Sequence, residues 1–294
     1  MERSSAWTAL SVWRPARRVD LSFYPLRFEF KALDPVRFPP GLAGNVVRGG
    51  FGLMLRAHAP REIYERIFEP TGEKGPSGLK NHPRPFVLRA RHLDGERYER
   101  GDSFYFDVHL FDMLDESRIA IRTAFEALGQ AGFEVGRGRA ELLNYQTPAP
   151  ITLQLIPTGP PISQIRIELL TPLELKSAGE VSRTLEFSVL FARIRDRIST
   201  LRSLYGPGPL EMPFKEMAKR ADEIRIATCE LKQSNRSRRS SRTGQVHDIG
   251  GLTGSVVYTG ELREFLPYLQ AAEFCGVGRH CVWGKGQIRV TECK

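Results

Sequence analysis

Two stretches of the chain repeat one order of periodic segments, and this repetition restricts the fold more than any other feature of the sequence. In the first, residues 20–32 alternate as a strand (Leu21, Phe23, Leu26, Phe28, Phe30), and Pro39-Pro40 break the chain before a helix expected from Leu42 to Arg56. Its apolar positions Val46, Val47, Phe51, Met54 and Leu55 keep helical spacing. Gly49, Gly50 and Gly52 would each weaken an isolated helix by about 1 kcal/mol, which points to close backbone packing. A short helix over Arg61–Phe68 and a Gly/Pro/Lys-rich loop from Pro70 to Pro83 follow. Strands at Pro85–Arg91 and Asp102–Phe111, a helix over Met113–Gly129, and strands at Glu134–Tyr145 and Ile151–Ile156 complete the stretch.

After the turn-rich Pro157-Thr158-Gly159-Pro160-Pro161 the order starts again. A strand is expected at Gln164–Leu170, an amphipathic helix at Thr184–Leu204, a helix at Phe214–Ala221 and a strand at Ile224–Leu231. A basic loop, a strand at Leu252–Tyr258, a helix at Glu261–Ala272 and a last strand at Gly286–Thr291 follow. Both stretches read β-α-β-β-α-β, the ferredoxin-like split βαβ motif. The expected fold is therefore α+β with two tandem ferredoxin-like (RRM-like) domains, residues 1–160 and 161–294. Such a fold hosts many functions, but it offers a groove between two sheets where a polyanion can lie.

Charge agrees with such a partner. Lys plus Arg number 43 against 34 Asp plus Glu, a net charge of +9. No run approaches the roughly 18 apolar residues of a membrane span, so no membrane partner is expected. Arg3, Arg14, Arg17 and Arg18 give the N-terminus a transit-peptide flavour that Glu2 and Pro15 oppose; an ordinary N-terminus of a cytoplasmic protein is expected. Cys229, Cys275, Cys281 and Cys293 fit neither a zinc pair nor a disulfide framework, so reduced thiols, no metal and no cofactor are expected.

Two segments carry phosphate-binding chemistry. Residues 232–244 hold five cations, no acids and many hydroxyls, and Lys232, Arg236, Arg238, Arg239 and Arg242 are RNA-backbone candidates through bidentate or point-charge contacts. The alternative is a solvated hairpin loop. Residues 276–286 combine Gly276, Gly278, Gly284 and Gly286 with Arg279, His280, Trp283 and Lys285. This is expected to be an RNA-backbone clamp at the inter-domain cleft, with open amides, two cations and a stacking ring. Its alternative is a tight turn that packs the tryptophan. A P-loop is excluded, because five residues separate Gly278 from Gly284-Lys285, Gly286 replaces the magnesium-binding hydroxyl, and a strand follows instead of a helix.

RNA cleavage without metal needs a group that exchanges protons near neutral pH. Among six histidines, His109 sits opposite the apolar face of its strand and is expected to be structural, while His92 and His247 flank turns and are expected to be solvated. His58 ends the first helix and His82 lies in the cationic run Lys80-Asn81-His82-Pro83-Arg84; both are catalytic candidates. His280 could contact RNA directly.

These residues resemble a known family, the CRISPR-associated endoribonucleases of the RAMP superfamily that process precursor guide RNA. The resemblance is carried by Leu170-Thr171-Pro172-Leu173-Glu174-Leu175-Lys176, Arg239-Ser240-Ser241-Arg242, Gly250-Gly251-Leu252-Thr253-Gly254 and the closing Gly-rich loop. In the first half it is carried by Val47-Arg48-Gly49-Gly50-Phe51-Gly52, Tyr64-Glu65-Arg66-Ile67-Phe68-Glu69-Pro70 and Arg84-Pro85-Phe86-Val87-Leu88. It implies metal-independent cleavage of CRISPR repeat RNA by 2′-hydroxyl attack, leaving a 2′,3′-cyclic phosphate and a 5′-hydroxyl. It further implies a base or acid at His58 or His82, with Arg84 or Lys80 stabilising the phosphorane. Repeat RNA, guide RNA and other CRISPR effector subunits are the implied partners. A non-catalytic RAMP subunit that holds RNA is the alternative, because Gly276 stands where members often carry a histidine.

Overall fold

The computed structural model describes residues 19–71, 82–134, 137–146, 148–177, 180–181, 184–234, 237–239, 246–248 and 250–293. The arginine-rich first 18 residues, together with Lys80, Arg236 and Arg242, lie outside them.

In the first half, β1 (Asp20–Ala32) forms because alternate side chains find a core, with Leu26, Phe28 and Phe30 fully buried. Along the chain follow α1 (Ala43–His58), α2 (Arg61–Phe68), β2 (Phe86–Arg89), β3 (Ser103–Leu110), α3 (Asp115–Ala131), β4 (Ala140–Gln146) and β5 (Ile151–Gln154). The antiparallel sheet has the order β2-β3-β1-β4, with β5 paired to the start of β1. Register sets Phe28 opposite Phe106 and Phe30 opposite Phe104, and both pairs stack, at 5.8 and 5.6 Å. Phe51 of α1 stacks on Phe125 of α3 at 4.6 Å. The helix glycines let this happen: a Cβ on Gly50 would lie 2.3 Å from Leu128 Cδ1, and one on Gly52 2.2 Å from Phe68 Cζ. Gly49 has nothing within 4 Å, so close packing accounts for two of the three.

The second half runs β6 (Gln164–Leu173), α4 (Phe187–Tyr205), α5 (Phe214–Glu223), β7 (Arg225–Ser234), β8 (Ser237–Arg239), β9 (Val246–Asp248), β10 (Gly251–Thr259), α6 (Leu266–Cys275) and β11 (Ile288–Glu292). Its sheet is ordered β7-β10-β6-β11. In both sheets the motif's second, third, first and fourth strands stand side by side, which is the ferredoxin-like arrangement.

Several expected boundaries move. The strand from Glu134 begins at Ala140, because Glu134 and Arg137 close an isolated bridge. The strand at 85–91 ends at Arg89, where Arg91–Leu93 form a 3₁₀ turn. The last helix begins at Leu266 with Pro267 in its first turn, where a missing N–H costs nothing. The basic segment is not simply a loop. Lys232–Ser234 finish β7, and β8 pairs with β9, Arg238 opposite His247. A two-stranded ribbon extends an antiparallel ladder because its backbone groups satisfy each other.

The two cores interlock at the seam between the halves. Phe23, Val87 and Phe111 join the core of the second half, and Val282 joins that of the first. Strand β2 is shared, with Phe86 and Leu88 facing one core and Val87 the other. Gln287 Nε2 donates to Leu88 O at 3.2 Å, and Tyr205 Oη to Pro83 O at 3.1 Å. Arg202 pairs with Asp20 in a buried bridge at 2.8 Å. His109 Nδ1 lies 3.0 Å from Phe274 O, and burial together with Arg89 lowers its pKa to about 4. The neutral ring therefore donates to that carbonyl, so His109 is structural, as its strand position suggested.

Candidate nucleic-acid interface

The Gly-rich loop of residues 276–286 is the first place where geometry corrects the sequence. Its amides point inward. Val277 N–H donates to Gly286 O, Arg279 to Glu174 O, Trp283 and Lys285 to His280 O, Gly284 to Cys281 O and Gly286 to Pro172 O. The glycines are required by backbone contact. A Cβ on Gly286 would sit 1.9 Å from Val277 O, and one on Gly278 2.4 Å from Glu174 O, both at positive φ. Gly276 and Gly284 likewise hold positive φ at the two ends of the turn. Most of the amide surface expected to cradle phosphate, at Gly276, Val277, Arg279 and Trp283 through Gly286, is thus spent on internal carbonyls.

The loop's side chains are also engaged. Arg279 forms an ion pair with the buried carboxylate of Glu174, and His280 Nε2 lies 3.9 Å from the same group. The His280 imidazole lies flat on the Trp283 indole, at 4.4 Å and 8°. Trp283 is therefore not an empty stacking face; it packs against the core of the first half. Lys285 is 7% exposed. The alternative reading of a turn that packs its tryptophan describes the loop better than a clamp of open amides.

A row of rings and guanidinium groups runs from this loop along α1. The Arg48 guanidinium carbon stands 5.4 Å from the Trp283 ring and 4.6 Å from the Phe68 ring, and Arg84 approaches Phe68 from 5.3 Å. Arg84 Nε also donates to Phe68 O. Burial lowers the Arg84 pKa, yet a guanidinium stays charged. The structure thus brings together Arg84, Trp283 and His280 from the expected set and adds Arg48 and Phe68, which sequence reasoning quoted only as parts of motifs. A pair of cations around one ring was hidden because Arg48 and Arg84 are 36 positions apart in the chain.

His82 sits two residues before Arg84 and is half-buried, whereas His58 is exposed at the far end of α1. Ten helical residues separate His58 from Arg48, roughly 15 Å along the axis. His92 is not merely solvated: its Nε2 lies 2.8 Å from Tyr105 O and its ring stacks on that tyrosine at 4.5 Å.

Where the halves meet near the N-terminus of α1, a cavity of about 180 Å³ opens. Gly41, Gly44, Arg91 and Asp94 line it from the first half; Thr171, Ser234, Thr253, Trp283 and Lys285 line it from the second. Gly44 is needed there, since a Cβ would meet Trp283 O at 2.7 Å. Ser234 is the last residue of β7, so the basic ribbon of β8 and β9 continues from the cavity's edge.

The outer face of the second sheet is a poor stacking platform. Its charged side chains are engaged, Arg166 donating to Ser255 Oγ at 3.0 Å and Arg289 pairing with Glu168 at 3.3 Å. Tyr258, the single aromatic residue in its four strands, points to the core. The thiols of Cys275 and Cys281 are buried and unbridged, and burial pushes the Cys275 pKa up to about 11. Among the described residues no three His, Cys, Asp or Glu side chains gather in a metal-holding group, and no helix is long and apolar enough to cross a membrane.

Comparison with known proteins agrees with this architecture. Residues 167–288 match the family model of the CRISPR-associated endoribonuclease Cas6, and residues 21–159 match a model described as an N-terminal domain. No curated protein matches. Among solved structures, a Thermus thermophilus Cas6 in a product complex superposes with a TM-score of 0.59 at 16% identity, over 92% of this chain and 100% of that one. A second Cas6 product complex gives 0.55 at 19% identity over 92% and 100%. A partial Cas6-RT-Cas1–Cas2 complex gives 0.55 at 12% identity, over 92% of this chain and 46% of that one. At these identities the likeness is one of fold, the tandem ferredoxin-like arrangement. The chain thus matches the Cas6 endoribonuclease family model over residues 167–288 and shares the tandem ferredoxin-like fold of solved Cas6 proteins along nearly its whole length.

Proposed function

We propose that the protein is a metal-independent endoribonuclease that cleaves CRISPR repeat RNA and releases guide RNAs with 2′,3′-cyclic phosphate and 5′-hydroxyl ends. The observation that carries this reading is the row linking Trp283, Arg48, Phe68 and Arg84, which sets two guanidinium groups around one ring beside the seam. Residues 1–160 and 161–294 act as its two lobes. RNA enters over the ribbon, where Lys232, Arg238 and Arg239 neutralise phosphate, and crosses the seam at Lys285 toward the α1–α2 face. There His82 takes the proton of the ribose 2′-hydroxyl or returns one to the leaving 5′-oxygen. Arg84 and Arg48 stabilise the charge that builds on the pentavalent phosphorane. His58, farther along α1, is the rival for the proton transfer. Folding like the Cas6 proteins solved as product complexes supports the substrate class. Other CRISPR subunits are partners by the same likeness, a Cas6 being joined to RT, Cas1 and Cas2 in one of the solved assemblies.

The test is cleavage of end-labelled repeat RNA in EDTA. The expected products carry cyclic phosphate and 5′-hydroxyl ends, and a single 2′-deoxy substitution at the scissile nucleotide blocks them. His82→Ala lowers the single-turnover rate by about 10²–10⁴-fold, the usual worth of a positioned acid or base. Wild-type cleavage by His82→Ala with loss in His58→Ala moves the role to His58. Tight binding that leaves the RNA intact would replace the enzyme with a non-catalytic RNA-holding subunit.

A further inference from the structure

We infer that the seam cavity receives one extruded nucleobase of the bound RNA and selects a base that carries an exocyclic amino group. This rests on the RNA-processing function proposed above and adds to it a reading site. Size comes first. A cavity of about 150 Å³ holds one benzene molecule, and this one measures about 180 Å³. It has room for one heterocyclic ring.

The lining then specifies the chemistry. Asp94 Oδ1 accepts the Ala43 N–H at 2.9 Å, which uses only part of the acceptor capacity of a carboxylate. Thr253 Oγ1 donates to Lys232 O at 3.3 Å, so its lone pairs are what it can offer the cavity. Thr171 Oγ1 accepts the Gln287 N–H at 3.0 Å, which leaves its hydroxyl hydrogen to donate. The acceptors of Asp94 and Thr253 match the exocyclic amino group that adenine, cytosine and guanine carry and uracil lacks. Arg91 and Lys285, one from each half, place positive charge on the same cavity, where the phosphate next to an extruded base needs it. Single-stranded RNA is read in this way, with unstacked bases splayed out and hydrogen-bonded along their edges. The lining comes from both halves, so the pocket exists only while the seam is closed.

The test uses repeat RNA carrying 2-aminopurine at each unpaired position in turn, bound to the full chain in EDTA with a 2′-deoxy scissile nucleotide. Extrusion from neighbouring bases raises the fluorescence. One position should brighten on binding and return to the level of its neighbours in Thr253→Phe, which fills the cavity. Ser234→Phe serves the same purpose if the first variant shows a shifted thermal midpoint. Uridine at the responding position should weaken binding by about tenfold, the worth of one good base contact. Bound RNA in which no position brightens, or brightening that survives both cavity-filling variants, overturns the pocket. Cleavage of unmodified RNA that persists in that case leaves the nuclease function standing. RNA that is neither bound nor cleaved removes both.

Discussion

Residues 232–244 and residues 276–286 are built from similar materials, arginine and lysine among small residues, and the fold uses them in opposite ways. The first holds the end of β7, where Lys232, Gln233 and Ser234 face Thr253, Leu252 and Gly251 of β10, and then β8, which pairs with β9. The second is locked between the halves, with most of its amides spent on internal carbonyls and Val282 in the core of the other half. The difference lies in the residues between the cations. Residues 232–244 include no apolar side chain to bury. The Gly-rich segment contains Val277, Cys281 and Val282, all buried, and Trp283 packed behind them. Positive charge alone therefore does not mark a phosphate site. A cationic segment interrupted by apolar residues is drawn into the structure.

The comparison breaks most sharply at Gly286. A Cβ there would meet Val277 O at 1.9 Å with φ at +65°, and Gly286→Ala is expected to cost about 3 kcal/mol or more in denaturant unfolding. Acid tests the same seam at His109. Its pKa is about 4 in the folded protein against 6.5 for a free imidazole. Below pH 6.5 the unfolded chain takes up a proton that the folded seam refuses, so stability is complete above that pH and falls as pH drops toward 4. The loss is on the order of 2–3 kcal/mol, and His109→Leu should flatten that part of the pH–stability profile. On the ribbon, Arg238→Ala should leave stability within about 0.5 kcal/mol while weakening repeat RNA and lowering the salt slope of binding by about 0.7–0.9. The smallest effect is expected at Arg279, which is paired with Glu174. Arg279→Ala should cost about 0–1 kcal/mol of stability, with the salt slope of RNA binding unchanged.

How much of this was legible in the sequence follows from which segments are two-sided. The alternating Phe residues of β1 and β3 and the apolar face of α1 revealed the repeated motif, because one side of each is buried and the other is not. The limits of α2, Arg61–Phe68, were readable for the same reason. Strand β8 was not, since Ser237-Arg238-Arg239 carries no apolar period. Arg84, Trp283 and His280 were identifiable by residue type. Their connection through Arg48 and Phe68 was not, because it joins three elements distant in sequence. The seam cavity was invisible in the chain, as Arg91, Thr171 and Thr253 carry no motif until the two sheets are closed on each other.

Hydrogen exchange with and without repeat RNA, resolved over residues 277–286 and 232–239, tests the central contrast most directly. If the Gly-rich loop is a latch, the amides of Val277, Arg279 and Trp283 through Gly286 exchange as slowly as those of β6 in the free protein and change little on RNA binding, while Lys232–Ser234 and Ser237–Arg239 gain protection. Fast exchange of the loop amides in the free protein, followed by protection when RNA is added, would contradict this account and restore the loop as a phosphate clamp.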